Sequence, residues 1–256
     1  MRLVIVGASG SVPGPASAAS CYLVEAEDEN GRTWHVVLDL GSGAAGSLQR
    51  YLDPRELDAI AISHAHADHC ADLAVMDVYL RYASPDEPVS VPVHGPFGLA
   101  GRIAEMRGVA EHSEVLPTIA WQPGVPVRIG PMTITCAAVE HPIPAYAIRV
   151  EGPSERGGDA VLAYSGDTDA CEGLEAIAEG ADLLLCEASF LEREDRPLGM
   201  HLTGARAGQV AERSGVGRLL LTHIPPWTEP YETVAEAAAE YSGPLGAAHA
   251  GMRVYL

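Results

Sequence analysis

Between residues 64 and 69 the chain reads His64-Ala65-His66-Ala67-Asp68-His69, three imidazoles and a carboxylate within six positions. These donors are useful together only if they converge, and a loop that leaves a strand and enters a helix makes them do so. Alanine spacers let a tight turn bring alternate side chains onto one centre, while the adjacent Asp68 and His69 face a second centre from the helix start. The flanks agree: 58–62 reads as a short apolar strand. Beyond it Leu73, Met76 and Leu80 recur at the spacing of one helical face, which predicts a helix over 69–82. A single histidine here would read as structural. Four nitrogen and oxygen donors in this pattern point to zinc or manganese.

The rest of the chain alternates in the same way. Short strands are expected at 3–6, 20–24 and 34–38, separated by a Gly/Pro/Ser loop at 7–19 and a polar turn at 27–32, with a helix at 44–51. A second β-rich series follows at 125–129, 132–139, 145–150 and 160–164. Helices at 171–179, 203–214 and 231–241 then alternate with strands at 182–186 and 218–221 and a terminal strand. Two β-rich halves, each followed by helices, predict an α/β sandwich with the helices outside. No linker or low-complexity tract divides residues 1–256, which read as one domain with a faint internal repeat.

Sixteen basic residues against thirty-five acidic ones give a net charge of −19. That balance repels nucleic-acid phosphates and anionic lipid. The five cysteines are odd in number and never spaced as CxxC, so neither a disulfide framework nor a thiolate zinc finger is indicated. No apolar run reaches the roughly 18 residues of a membrane helix, and the N-terminus enters a strand with no signal-peptide pattern. The expectation is a soluble, cytoplasmic protein.

A binuclear centre needs more donors than one hexapeptide supplies. Three stand, like the first group, just after expected strands: His141, Asp167 in Ser165-Gly166-Asp167-Thr168, and His223 in Leu221-Thr222-His223. Each alone is weak, and their common placement raises them together. With Leu38-Asp39-Leu40-Gly41-Ser42-Gly43, Glu187-Ala188-Ser189-Phe190 and His201-Leu202-Thr203, the ordered set resembles the metallo-β-lactamase-fold hydrolases, in particular their ribonuclease Z-like branch. The resemblance implies a four-layer αββα sandwich. It also implies that His64, His66 and His141 hold one divalent metal, that Asp68, His69 and His223 hold another, and that Asp167 bridges them, with Asp39 behind the ligands. His201 takes the place of the leaving-group acid and Glu187 that of its orienting carboxylate; Asp68 joins them in the catalytic set. Zinc is the expected metal, with manganese or iron as alternatives. Two such cations about 3.5–4 Å apart acidify a bridging water into a hydroxide nucleophile at neutral pH.

Two departures from ribonuclease Z bear on substrate. Cys186 stands where that family has histidine, and its leucine-rich flank favours a buried, inert thiol. Only residues 142–164 separate His141 from Ser165, leaving no room for the arm that grips transfer RNA. The pattern Cys186-Glu187-Ala188-Ser189, His201-Leu202-Thr203-Gly204 and Leu219 through Thr228 is similar to that of bacterial cyclic-nucleotide-degrading phosphodiesterases. That resemblance implies opening of a 3′,5′-cyclic phosphate to a nucleoside 5′-monophosphate. A small phosphodiester is then the expected partner, with no membrane and no folded nucleic acid; a homodimer stays open. Rival readings are an armless ribonuclease Z-like nuclease, a lactone, ester or thioester hydrolase, and a metal-binding protein without catalysis.

Trp227 either stacks on a base at the pocket rim or packs its own loop. The loop with Ser9 and Ser11 can offer N–H groups to a phosphate, although a tight β-connection requires the same residues, and that plainer reading is preferred. His94 is left without a role, while His35, His112 and His249 read as surface or structural. The acidic runs 25–29 and 192–195 read as solvated turns.

Overall fold

The computed structural model describes every residue except Pro85 and Glu194. Glu194 belongs to the acidic run 192–195, so that part of the turn expectation lies outside the described residues. The first sheet is built from β1 (Arg2–Ser9), β2 (Ala18–Ala19), β3 (Cys21–Glu27), β4 (Thr33–Leu38), β5 (Ala59–Ala61), β6 (Val93–Gly95) and β7 (Thr118–Ala120). The second holds β8 (Val127–Ile129), β9 (Met132–Ala138), β10 (Tyr146–Pro153), β11 (Asp159–Tyr164), β12 (Leu183–Glu187), β13 (Leu219–Thr222) and β14 (Leu245–Ala247). The last strand, β15 (Arg253–Tyr255), returns to the first sheet and pairs antiparallel with β1. The sheet orders are β15-β1-β3-β4-β5-β6-β7, with β2 beside β1, and β14-β13-β12-β11-β10-β9-β8.

Each sheet begins with antiparallel hairpins and ends in four parallel strands, β4 to β7 in one and β11 to β14 in the other. Parallel neighbours need crossovers, and the helices supply them: α1 (Ala44–Leu48), α2 (Ala67–Cys70), α3 (Leu73–Tyr82) and α4 (Leu99–Arg107) in the first half, then α5 (Glu172–Ala178), α6 (Gly204–Arg213) and α7 (Pro230–Ala238) in the second. The faint repeat in the sequence is this shared pattern.

Strands buried on both faces explain the nearly continuous apolar runs. In β1, Leu3 and Ile5 enter a core between the sheets with Tyr22, Leu38, Ile148, Leu162, Tyr164 and Leu185. Val4 and Val6 face the other way, into a core under the first helices with Leu73, Met76 and Leu80. Leu184, Cys186, Leu219 and Leu221 form a third core with α5, α6 and α7. The result is the expected sandwich of helices, sheet, sheet and helices. Among the described residues no helix is long and apolar enough to cross a membrane.

Three expectations need correction. The helix expected over 69–82 is broken into α2 and α3 because Asp72 turns back to the α1 region: its N–H donates to Leu40 O at 3.2 Å and its Oδ2 accepts from Ala45 N at 2.8 Å. Glu25 and Glu27 are in β3 rather than a solvated turn, with Glu25 buried and paired to Arg2 at 2.6 Å. Strand β7 and helix α4 fall where no element is expected, while β6 lies at His94, which reads as the end of a strand; strands of three residues carry no readable periodicity.

Helix α6 starts directly after His201 and Leu202, capped by Thr203, whose Oγ1 accepts from Arg206 N at 3.2 Å. Gly204 lets α6 lie against α7, because a Cβ there would stand 2.1 Å from Thr233 O. Gly204→Ala is therefore expected to lower stability by about 1–3 kcal/mol through overpacking, read as a lower denaturant midpoint at unchanged slope.

Candidate metal centre

The centre stands at the carboxyl ends of the parallel strands, where open α/β sheets bind ligands. Asp39 follows β4 at φ 56, fully buried. Its Oδ1 accepts from Ser63 N at 2.7 Å, and its Oδ2 accepts from Ser63 Oγ at 2.7 Å, His69 Nδ1 at 2.7 Å and Tyr164 OH at 2.6 Å. These bonds set protons elsewhere. Since Ser63 Oγ gives its hydrogen to Asp39, it accepts from His64 Nδ1 at 3.0 Å. His141 Nδ1 donates to Met200 O at 2.9 Å. His223 Nδ1 donates to Ser189 Oγ at 2.7 Å, and that hydroxyl passes its own hydrogen to His223 O at 2.9 Å. Four imidazoles thus keep Nδ1 bound outward and turn Nε2 inward, the orientation that outer partners impose on metal-ligating histidines.

Two groups of donors result. His64 Nε2 and His141 Nε2 each lie 3.1 Å from His66 Nδ1, with Asp167 Oδ2 3.6 Å from His64. On the other side His69 Nε2 is 3.1 Å from His223 Nε2 and 3.1 Å from Asp167 Oδ1, while Asp68 Oδ2 is 3.0 Å from His223. Asp167 gives one oxygen to each group. Its Oδ1 is buried and has no hydrogen-bond donor, an arrangement that a cation satisfies and an empty protein interior does not. The two His/Asp groups are consistent with a binuclear metal site, and the donor set fits zinc, manganese or iron.

Charge is arranged to match. Burial pushes His64 well below the usual imidazole range and lowers His66 and His141, so these rings are neutral and ready to ligate. Burial opposes the charge on His69 too, but the Asp167 and Asp39 carboxylates outweigh it and hold His69 well above the usual range. Asp68 and Asp167 resist burial through the histidines beside them and are held far below the carboxylate range.

His201 lies at the edge of both groups, its ring stacked on His223 at 5.6 Å between centroids. Its Nδ1 donates to Glu187 Oε1 at 2.8 Å. Fully buried Glu187 is fixed by Thr168 N at 2.9 Å and Ser189 N at 3.0 Å. Burial works against the imidazolium, yet Glu187 and then Asp167 raise His201 to about 9. Glu187, His201 and His223 also form a third possible donor triad, but the Glu187 bond occupies one His201 nitrogen and makes the pair a held proton.

Trp227 is exposed and lines a cavity of about 420 Å³ with Ser189, Phe190, Arg193 and Arg196. His94 is buried and stacked on Trp121. Ser63, Tyr164 and Ser189 were not among the sequence candidates. Ser189 stands in the quoted Glu-Ala-Ser segment, and a polar residue there was the available signal; Tyr164 reads as core, and the Met200 carbonyl has no side-chain signature.

The beta-lactamase superfamily domain model matches residues 35–224. The chain belongs to the metallo-β-lactamase superfamily. Protein ML1173 of Mycobacterium leprae is 40% identical, covering 98% of this chain and 87% of its own length. Ribonuclease Z of Streptomyces coelicolor is 28% identical, covering 99% and 97%, over an alignment of 303 residues that exceeds this chain and so places insertions in the relative. The crystal structure of the metallo-beta-lactamase fold protein YhfI from Bacillus subtilis superposes with a TM-score of 0.83 at 27% identity, covering 99% and 98%.

Two outcomes follow from this superfamily site. Asp39→Asn replaces one acceptor oxygen by an NH2 in a group at which four hydrogens already point, and is expected to weaken zinc binding about 10- to 100-fold in chelator competition. The Asp167 and Asp39 carboxylates favour the protonated form of His69, and a cation bound at its Nε2 would displace that proton. Zinc loading is therefore expected to release protons and to tighten with rising pH, which calorimetry in buffers of different ionisation enthalpy reads directly.

Proposed function

We propose that the chain is a binuclear metal-dependent phosphodiesterase that opens small 3′,5′-cyclic nucleotides to nucleoside 5′-monophosphates. The observation that carries this reading is the His201–Glu187 pair, a held proton beside two donor groups that share Asp167. Two divalent cations, when bound, supply an acidified water and neutralise phosphoryl charge. His64, His66, His141 and Asp167 would hold one, and Asp68, His69, His223 and Asp167 the other. Asp39 keeps His69 and, through Ser63, His64 in the ligating tautomer. Water adds to phosphorus as the P–O3′ bond breaks, and the departing oxygen needs a proton. With Nδ1 bound to Glu187, His201 gives it from Nε2.

Substrate size follows from the neck between β10 and β11. Only residues 154–158 connect these strands, which pair from Ile148↔Tyr164 to Pro153↔Asp159, so nothing there reaches out to hold a folded RNA. The net charge of −19 acts in the same direction. Exposed Trp227, four residues past His223, offers an aromatic face to a base. The Bacillus subtilis relative named "Probable metallo-hydrolase YhfI", 28% identical over 98% of both chains, supports the hydrolase class.

Purified protein with zinc or manganese added back is expected to convert cyclic AMP to 5′-AMP. His201→Ala is expected to lose about 10²- to 10⁴-fold in kcat with metal content intact, while Asp167→Ala loses metal and activity together. Turnover of a generic diester alone would remove the cyclic-nucleotide assignment. Tight, salt-sensitive binding of a transfer RNA precursor, or faster turnover of a lactone panel, would move the protein to a different substrate class. Metal loss in His201→Ala would remove its role as acid.

A further inference from the structure

The loop after β1 crosses the second donor group. Ser9 pairs with Ile224, Gly10 N donates to Ile224 O at 3.1 Å, and a Cβ on Gly10 would lie 2.0 Å from His223 O. Only glycine lets the chain pass so close. Ser11 follows at φ 62, and Val12 N folds back onto Gly10 O at 2.7 Å, while Ser9 Oγ donates to Val12 O at 2.7 Å. A serine at positive φ is strained. Here the strained turn aims the Ser11 N–H at His223 Nε2, 3.4 Å away.

That nitrogen is the one turned inward, 3.0 Å from Asp68 Oδ2 and 3.1 Å from His69 Nε2, because its partner Nδ1 is committed to Ser189. It has a single lone pair. Were His223 to hold a cation, that lone pair would be taken, and the Ser11 N–H, at an exposed turn beside the site, would be left without its acceptor. A freed donor binds oxygen, and binds anionic oxygen most strongly. We propose that the backbone N–H of Ser11 binds a non-bridging phosphoryl oxygen of the substrate, a donor released for this task when His223 is ligated. The inference rests on the phosphodiesterase reading and adds to it a coupling: metal loading creates part of the anion site. The loop is fixed by backbone contacts on both sides of Ser11, so the donor's position owes nothing to the serine hydroxyl.

The test uses inorganic phosphate and the ¹⁵N-labelled full-length protein, with and without zinc. Phosphate is expected to move the Ser11 amide proton downfield in the zinc-loaded protein and to leave it unmoved in the metal-free one. Ser11→Gly, which keeps the N–H, is expected to keep this response at residue 11. Cys21 permits ligation of a synthetic 1–20 segment, so the full chain can be rebuilt with an ester in place of the Gly10–Ser11 amide. Against an all-amide chain rebuilt the same way, the ester is expected to bind phosphate about tenfold more weakly at equal zinc content. A stationary Ser11 amide while amides near His64 and Asp167 shift would overturn the proposal, as would equal phosphate affinity of the ester and amide chains. If phosphate engages Ser11 but cyclic AMP is not hydrolysed, the anion donor stands and the substrate reading falls.

Discussion

The Asp39 carboxylate is the constraint on which the rest of the centre depends. A buried charge costs several kcal/mol unless its oxygens are fully paired, and Asp39 has no exposure at all. Its four donors come from the end of β5, from α2 and, through Tyr164, from the opposite sheet. One side chain therefore registers both sheets against the loop that carries the histidines. Its φ of 56 is the local cost of turning the carboxylate into the sandwich just as β4 ends. Burial and the nearby Asp39 charge hold the Tyr164 phenol well above its usual range, so it stays a donor.

What this frame supports is unfavourable without a ligand. His66 Nδ1 faces two other ring nitrogens at 3.1 Å. Burial keeps these rings neutral, and their outward nitrogens hold the protons where partners fix them. Lone pairs then face lone pairs around an acidic residue with an unpaired oxygen. Stability given up at the centre is offset by the three apolar cores, and cation binding there would return part of it.

How much of this was legible in the sequence depended on where the chemistry resides. The hexapeptide stood out by itself, and His141, Asp167 and His223, each weak alone, became readable together because donor side chains at strand ends form a pattern in one dimension. Leu73, Met76 and Leu80 marked the right buried face even though Asp72 broke the helix before them. Interactions made by the backbone left little trace: the Met200 carbonyl behind His141 and the Ser189 N–H behind Glu187 belong to positions where any residue type offers the same group, while the N–H groups of the Ser9–Ser11 loop were legible but not distinguishable from a tight β-connection. Tyr164 was hidden differently, since an aromatic residue at an inward strand position reads as core, and only the opposite sheet reveals that its hydroxyl meets Asp39. Three-residue strands such as β6 and β7 are set by pairing with neighbours, not by their own periodicity.

The global charge and the local charge of this molecule point in opposite directions, and under the phosphodiesterase reading the difference bears on substrate size. At −19 the surface repels anions. At the centre, two divalent cations set against Asp39, Asp68 and Asp167 would leave about one positive charge while the water between them is neutral and none once it is hydroxide, and the His201–Glu187 pair adds none. A cyclic nucleotide carries a single negative charge, which the two cations would face directly were its phosphate seated there. A polynucleotide brings many more, of which the centre can neutralise only the phosphate being cleaved. The rest would lie against an acidic surface with no arm at 154–158 to hold them. On the phosphodiesterase reading, the residues that would make the chemistry general for phosphodiesters are thus set in a protein whose surface charge favours short ones.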